Sequence, residues 1–141
     1  MFVLDTNILS AMMQRALVPE LATWIAGQAE ETLFTASVCQ AEILAGIEIL
    51  PDGRRRRELE VAARAMFQDD FDGRILPFDS NAAAAYAEIL AVRKRTGRPI
   101  APLDLMIAAT ARTNNASMVT RDAGGFEGCG LTLIDPWHTV G

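Results

Sequence analysis

Short apolar runs alternate with longer amphipathic segments along the chain, and this alternation predicts its architecture. Phe2-Val3-Leu4 reads as a first strand, followed at once by the polar Asp5, Thr6 and Asn7 and then by a short helix over about residues 7–14. Pro19 stands where a helix begins, with Leu21, Trp24, Ile25 and Ala29 recurring at helical spacing. Leu33-Phe34-Thr35 is a second strand. Ser37 then opens a helix running to about residue 50, with Gln40 completing a capping box. After the Pro51-Asp52-Gly53 turn, a charged helix is expected over about residues 54–70. Residues 74–78 read as a third strand. Asp79 caps an alanine-rich helix that Gly97 ends, and Pro102 starts another that lasts to about residue 114. Residues 117–120 and 131–134 supply a fourth and a fifth strand. Apolar strands alternating with helices imply an α/β fold with a parallel sheet covered on both faces.

The chain is 141 residues long, the size of one domain, and no repeat or linker divides it. Half of it is hydrophobic, which sets it apart from disordered chains. No apolar run approaches the roughly 20 residues that span a membrane, and the N-terminus lacks the features of a secretory signal. Cys39 and Cys129 lie in apolar surroundings without CxxC spacing, as small core residues of a reduced, cytoplasmic protein. His138 is the only histidine, which argues against a histidine base or a multi-histidine metal site. The net charge of −5 argues against a general basic surface for nucleic acid, but not against one in which acids and arginines are segregated.

Four acids stand out from solvated or capping ones such as Glu58, Glu60 and Asp79. Asp5 ends the first strand, on the edge where open α/β sheets bind ligands, although a helix cap would also explain it. Glu42 is mid-helix on a stripe with Val38, Ala41, Ala45 and Ile49; an inward-facing acid there needs either a site or an arginine partner. Asp104 suits the first turn of its helix, yet shares a face with Ile107, Ala108 and Ala111. Asp122 follows the fourth strand, just before Gly124-Gly125, where a turn residue is also expected. Two unit charges about 4 Å apart repel by about 4 kcal/mol at an effective dielectric near 20. Ionised acids sharing a pocket therefore require raised pKa values or a cation. Oxygen donors without histidine or thiolate favour Mg2+ or Mn2+, and such an ion suits phosphodiester hydrolysis by metal-activated water. Thr6, Asn7 and Thr120 would then orient ligands or water from behind the acids.

The blocks VLDTN, SVCQAEILAGI, DLMIAATA and VTRD…F, with the closing GLTLIDPW, resemble a PIN domain over nearly the whole chain. They are most similar to the VapC-type toxins of toxin–antitoxin pairs, in the FitB-like, plasmid-stability branch. The resemblance implies a central parallel sheet of about five strands flanked by helices on both faces. It also implies an Mg2+- or Mn2+-dependent endoribonuclease whose acidic quartet carries over onto Asp5, Glu42, Asp104 and Asp122. Many members carry asparagine after TR and aspartate three residues later; here those positions are Asp122 and Gly125. The implied partners are an RNA substrate, a second copy of the chain, and a cognate antitoxin with a DNA-binding N-terminal part and a C-terminal segment that wraps the toxin. These join in a larger assembly on DNA. The alternatives are a catalytically weak module acting within an antitoxin–operator complex, and a DNA nuclease with the same pocket.

Among the cations, the arginine run at 54–57 opposes the dipole at a helix start, so either RNA phosphates or the neighbouring Glu58 and Glu60 must answer it. Arg93-Lys94-Arg95 suits a helix C-terminus. Arg121 is the arginine expected to touch substrate or a site carboxylate. Trp24 is expected in a core or subunit contact and Trp137 as the anchor of the tail.

Overall fold

The computed structural model describes residues 1–138, so the last three positions of the expected single domain lie outside the described residues. The strands are β1 (Phe2–Leu4), β2 (Leu33–Ala36), β3 (Ile75–Leu76), β4 (Ser117–Val119) and β5 (Leu133–Ile134). They form one sheet in the order β3-β2-β1-β4-β5, with every neighbouring pair parallel. Between them run α1 (Thr6–Met12), α2 (Pro19–Ala26), α3 (Ser37–Glu48), α4 (Arg54–Ala65), α5 (Ser80–Arg95) and α6 (Pro102–Thr113).

Burial of consecutive strand residues shows why the sheet must be sandwiched. Side chains alternate between faces along a strand, yet Val3 and Leu4, and likewise Met118 and Val119, are all fully buried. Both faces are therefore covered, as parallel sheets require. The strand order supplies the cover. It grows from β1 through β2 to β3 in one direction and then reverses to place β4 and β5 on the other side of β1. With right-handed crossovers, the helices before β3 and those after it fall on opposite faces. The reversal also leaves a crevice at the C-terminal ends of β1 and β4, where ligands of open α/β sheets bind.

Most element boundaries follow local chemistry. The Asp79 side chain accepts a hydrogen bond from the Ala82 amide at 2.9 Å and so starts α5. Gly97, at φ +67°, turns the chain away after it. Pro102 opens α6, where its missing N–H costs nothing. The expected capping box at Ser37 does not form. Strand β2 runs straight into α3, so Ala36 occupies the cap position and Ser37 is already helical. The charged helix expected over 54–70 is regular only to Ala65. It continues as a single π turn, Met66–Asp70, that buries Met66 and Phe67. Helix α2 stops at Ala26, so Ala29 is not part of its face.

Cys39 and Cys129 are both buried and unpaired, and burial pushes the Cys39 thiol up to about 12. Trp24 packs edge-on against Phe2 at 5.2 Å between ring centroids, consistent with its expected core contact. No helix among the described residues is long and apolar enough to cross a membrane. Ile89 on α5 is 1% exposed, whereas Ile49, just past α3, is 84% exposed. Ile89→Ala is expected to lower the free energy of urea unfolding by about 2–5 kcal/mol, and Ile49→Ala to change it by less than about 0.5 kcal/mol.

Candidate functional site

The crevice at the β1 and β4 ends gathers its polar groups through short hydrogen bonds between distant parts of the chain. The Asp5 amide still pairs with the sheet, donating to the Val119 carbonyl at 2.9 Å. The Asp5 side chain does two further things. Its Oδ1 accepts from the Thr6 amide at 2.7 Å, capping α1, and its Oδ2 accepts from the Thr120 hydroxyl at 2.7 Å. The cap and the site are therefore one carboxylate, 5% exposed. Its pKa is raised to about 6, first by burial and then by the like charges of Asp104 and Glu42, against the lowering effect of its two hydrogen bonds.

The side chains of Thr120, Asn7 and Thr6 are all hydrogen-bonded into this crevice. The Thr120 hydroxyl, fully buried, accepts from Asn7 Nδ2 at 3.3 Å and from the Asp122 amide at 3.1 Å while donating to Asp5. Asn7 Oδ1 in turn accepts from the Arg121 amide at 3.2 Å, which pins the end of β4 to α1. The Thr6 hydroxyl donates to Glu42 Oε1 at 2.8 Å and joins α1 to α3. Thr35 was not singled out from the sequence, yet its buried hydroxyl donates to the Leu4 carbonyl at 2.8 Å, holding the strand end that carries Asp5. A polar residue in an otherwise buried strand was the signal for it.

Glu42 reaches this crevice for a different reason from the one its stripe implied. The buried face of α3 is Val38, Cys39, Ile43 and Ile47, whereas Ala41, Ala45 and Ile49 are exposed. Glu42 lies on the border between those faces, half-buried, where its Oε1 accepts from the Thr6 hydroxyl of α1. Asp104 is half-buried in the first turn of α6, beside the fully buried Ile107, Ala108 and Ala111. Its pKa is raised by burial and then by Glu42 and Asp122. Each of the four acids thus acts electrostatically on at least one other. Among the described residues, none of the four forms an ion pair with an arginine or lysine. No group of three or more of the described His, Cys, Asp and Glu side chains is drawn together tightly enough to hold a metal ion as it stands. Coulombic coupling reaches further than coordination, so the quartet is an electrostatic set and not a closed cage.

Asp122 is exposed, ahead of a 3₁₀ turn at Ala123–Phe126. A Cβ at Gly125 would come within 2.6 Å of Asp122 Oδ2. The φ of Gly125 is not positive, so glycine is needed there for space and not for backbone conformation. The Asp122 carboxylate occupies the room that a side chain on residue 125 would take. The buried Arg93 steadies this loop, donating to the carbonyls of Gly125, at 3.0 Å, and Glu127. Nothing in its place at a helix C-terminus announced that role. The contact with a site carboxylate expected as one alternative for Arg121 does not form among the described residues: its guanidinium lies 4.6 Å from the Trp137 ring centroid. The aromatic face offers a cation–π contact without the desolvation cost of entering the crevice.

The raised pKa of Asp5 makes stability depend on pH with a definite sign. The folded state holds the Asp5 proton more tightly than the unfolded chain, so the contribution is favourable at low pH. Stability falls as pH rises from the ordinary value of 3.8 through about 6 and stays lower above it. A shift of that size corresponds to on the order of 3 kcal/mol. Asp5→Asn mimics the protonated carboxyl: its one oxygen still caps α1, and its NH2 takes the place of the oxygen that faces Thr120. In metal-free buffer it is expected to unfold at higher urea concentration than the parent above neutral pH, with the difference vanishing near pH 4.

Comparison with known proteins places this arrangement. The PIN domain family model matches residues 2–127. The plasmid stability protein StbB of Pseudomonas syringae pv. tomato is 38% identical over 138 residues, covering 98% of this chain and 99% of the relative. The VapC ribonuclease Y4jK of Sinorhizobium fredii is 36% identical with the same coverage. Among solved structures, FitAB bound to an IR36 DNA fragment superposes with a TM-score of 0.88 at 33% identity, covering 100% of this chain and 99% of that one. Family match, full-length identity and shared fold agree: the chain belongs to the PIN domain family.

Proposed function

We propose that this protein is the endoribonuclease toxin of a toxin–antitoxin pair, hydrolysing RNA phosphodiesters at Asp5, Glu42, Asp104 and Asp122 with Mg2+ or Mn2+. The observation that carries the reading is the quartet itself. Four acids from four chain segments repel one another at the sheet crevice, and no cation of the described chain neutralises them. The donor chemistry fits a hard divalent ion, because every donor is oxygen and neither buried thiol is in the set. The relatives support the same direction: one is named a VapC ribonuclease, and another is a toxin named FitB from Neisseria gonorrhoeae, 33% identical over 138 residues.

A bound ion would polarise the phosphate and activate water. In hydrolysis the water oxygen bonds to phosphorus, the ester P–O bond breaks, and the departing oxygen takes up a proton. The protein's own groups prepare this step. The Thr120 and Thr6 hydroxyls fix Asp5 and Glu42 by donating to them, so each carboxylate presents its remaining lone pairs in a set direction. Asn7 holds Thr120 in place. Gly125 leaves the space in which the Asp122 carboxylate lies.

The partner in this reading is an antitoxin that binds DNA with its N-terminal part and the toxin with its C-terminal segment. Its support is the likeness to FitAB bound to DNA. A homodimer is proposed from the resemblance to the VapC-type toxins.

The test is purified protein, free of antitoxin, incubated with RNA in Mg2+, Mn2+ or EDTA. Cleavage is expected only with the divalent ions and is expected to disappear in Asp5→Asn, Glu42→Gln and Asp104→Asn. Thr120→Val is expected to lower it about 10–100-fold by releasing Asp5. Gly125→Ala, which must displace the Asp122 carboxylate, is expected to reduce cleavage while leaving the unfolding midpoint nearly unchanged. Binding also has a readout without RNA: Mn2+ should raise the thermal midpoint of the parent and leave that of Asp5→Asn in place. Cleavage that persists in EDTA or in Asp5→Asn refutes the assignment.

A further inference from the structure

The arginine run at the start of α4 divides into one structural residue and a set facing the other way. Arg56 is tied down: its guanidinium meets Glu60 at 2.8 Å, Glu48 at 3.1 Å and Asp52 at 3.5 Å, and donates to the Leu50 carbonyl at 3.2 Å. Arg54 and Arg15 share a single carboxylate, Glu58, at 2.9 Å and 3.1 Å. Arg55 and Arg57 have no ion-pair partner among the described residues, although they sit at a helix N-terminus, where the dipole disfavours them. All of these except Arg56 line a groove of about 920 Å³ between the end of α1 and α4, where Glu58 is the only acid.

That groove does not end blindly. A second cavity of about 270 Å³ adjoins it, and Met13, Gln14, Arg55 and Leu59 line both. The second cavity is bounded by Thr6 and Glu42, the hydrogen-bonded pair of the acidic crevice. Arg55 therefore lines both the space that Glu42 borders and the groove of the remaining arginines. The overall charge of −5 conceals this segregation.

We propose that Arg55 and Arg57 form the phosphate-binding wall of a groove that carries a single-stranded RNA into the carboxylate crevice. This rests on the nuclease reading above and names where its substrate lies. Guanidinium groups suit phosphate oxygens through their fork of N–H donors, and unpaired ones lose no internal ion pair on binding. No aromatic ring lines the groove, so it offers no stacking platform. It grips the backbone and not the bases, which adds affinity without choosing the cut site.

The test uses the Asp5→Asn protein, which cannot consume its ligand, and a fluorescein-labelled oligouridine followed by anisotropy across a salt titration. Adding Arg55→Gln and Arg57→Gln is expected to weaken binding about tenfold or more at low salt and to reduce the log–log salt slope by about 1.4, the loss of two phosphate contacts on a single strand. Lys94→Gln with Arg95→Gln, at the far end of α5, is expected to leave affinity and slope unchanged. With Asp5 restored, the Arg55/Arg57 double variant is expected to show a higher KM for RNA cleavage and an unchanged kcat. Unchanged affinity and slope in the double variant overturn the proposal. So does a result in which the two arginines matter only for binding polyglutamate, which would give the groove to an acidic protein segment. A protein that cleaves RNA yet binds it equally well without these arginines loses only the groove. One that neither cleaves nor binds RNA loses the nuclease reading as well.

Discussion

The burial of the Asp5 carboxylate beside two other acids is the constraint around which the rest of the site is arranged. A carboxylate 5% exposed is tolerable when both oxygens accept hydrogen bonds, and here both do. The bonds do not cancel the cost. Burial and the neighbouring charges of Asp104 and Glu42 still raise its pKa to about 6, so near neutral pH the folded chain holds an ionised group its surroundings disfavour. The supporting residues follow from this. Thr120, Thr6 and Asn7 tie β1, α1, α3 and β4 together at the point where repulsion would otherwise push them apart.

The sheet order makes that point available. Because the strands are laid down in one direction from β1 to β3 and in the other for β4 and β5, the C-terminal ends of β1 and β4 border an open crevice. The same topology brings α1 against α3, and α3 against α4, so that the acidic crevice and the arginine-lined groove become neighbours. A chain with excess negative charge can thus present positive charge where a polyanion would enter and negative charge where a divalent ion would sit. Net charge speaks to the average surface; a site depends on the local field.

How far the sequence could be read varied with the range of the interaction involved. Apolar periodicity predicted the five strands and six α-helices of the described residues in order, though not the short 3₁₀ turns, because burial on both faces of a parallel sheet leaves continuous apolar runs. The helix starts at Asp79 and Pro102 were legible because what sets them, a side-chain cap in one and a proline's fixed φ in the other, acts within the first turn. Ser37 misled for the opposite reason: its pattern matches a capping box, but pairing of β2 with β1 and β3 extends the strand to Ala36 and leaves no separate cap. Glu42 was placed in the site through a stripe that proves largely exposed. A twelve-residue helix carries several stripes, and only packing chooses among them. Of the two contacts expected for Arg121, substrate or a site carboxylate, the carboxylate does not form among the described residues: the guanidinium lies over the ring of Trp137, close only in the fold.

By itself, the sequence determined the layered α/β architecture and the identity of acids and arginines that local structure could not explain. Those are consequences of periodicity, composition and first-turn electrostatics, all of which act over a few residues. Tertiary structure decided which of those groups meet. Thr6 bonds a residue 36 positions away and Thr120 one 115 positions away, and no local pattern encodes such distances. It also decided that Arg56 is held internally while Arg55 and Arg57 face a groove, and that Gly125 makes way for Asp122, because partnership and free space exist only once the chain has folded back on itself.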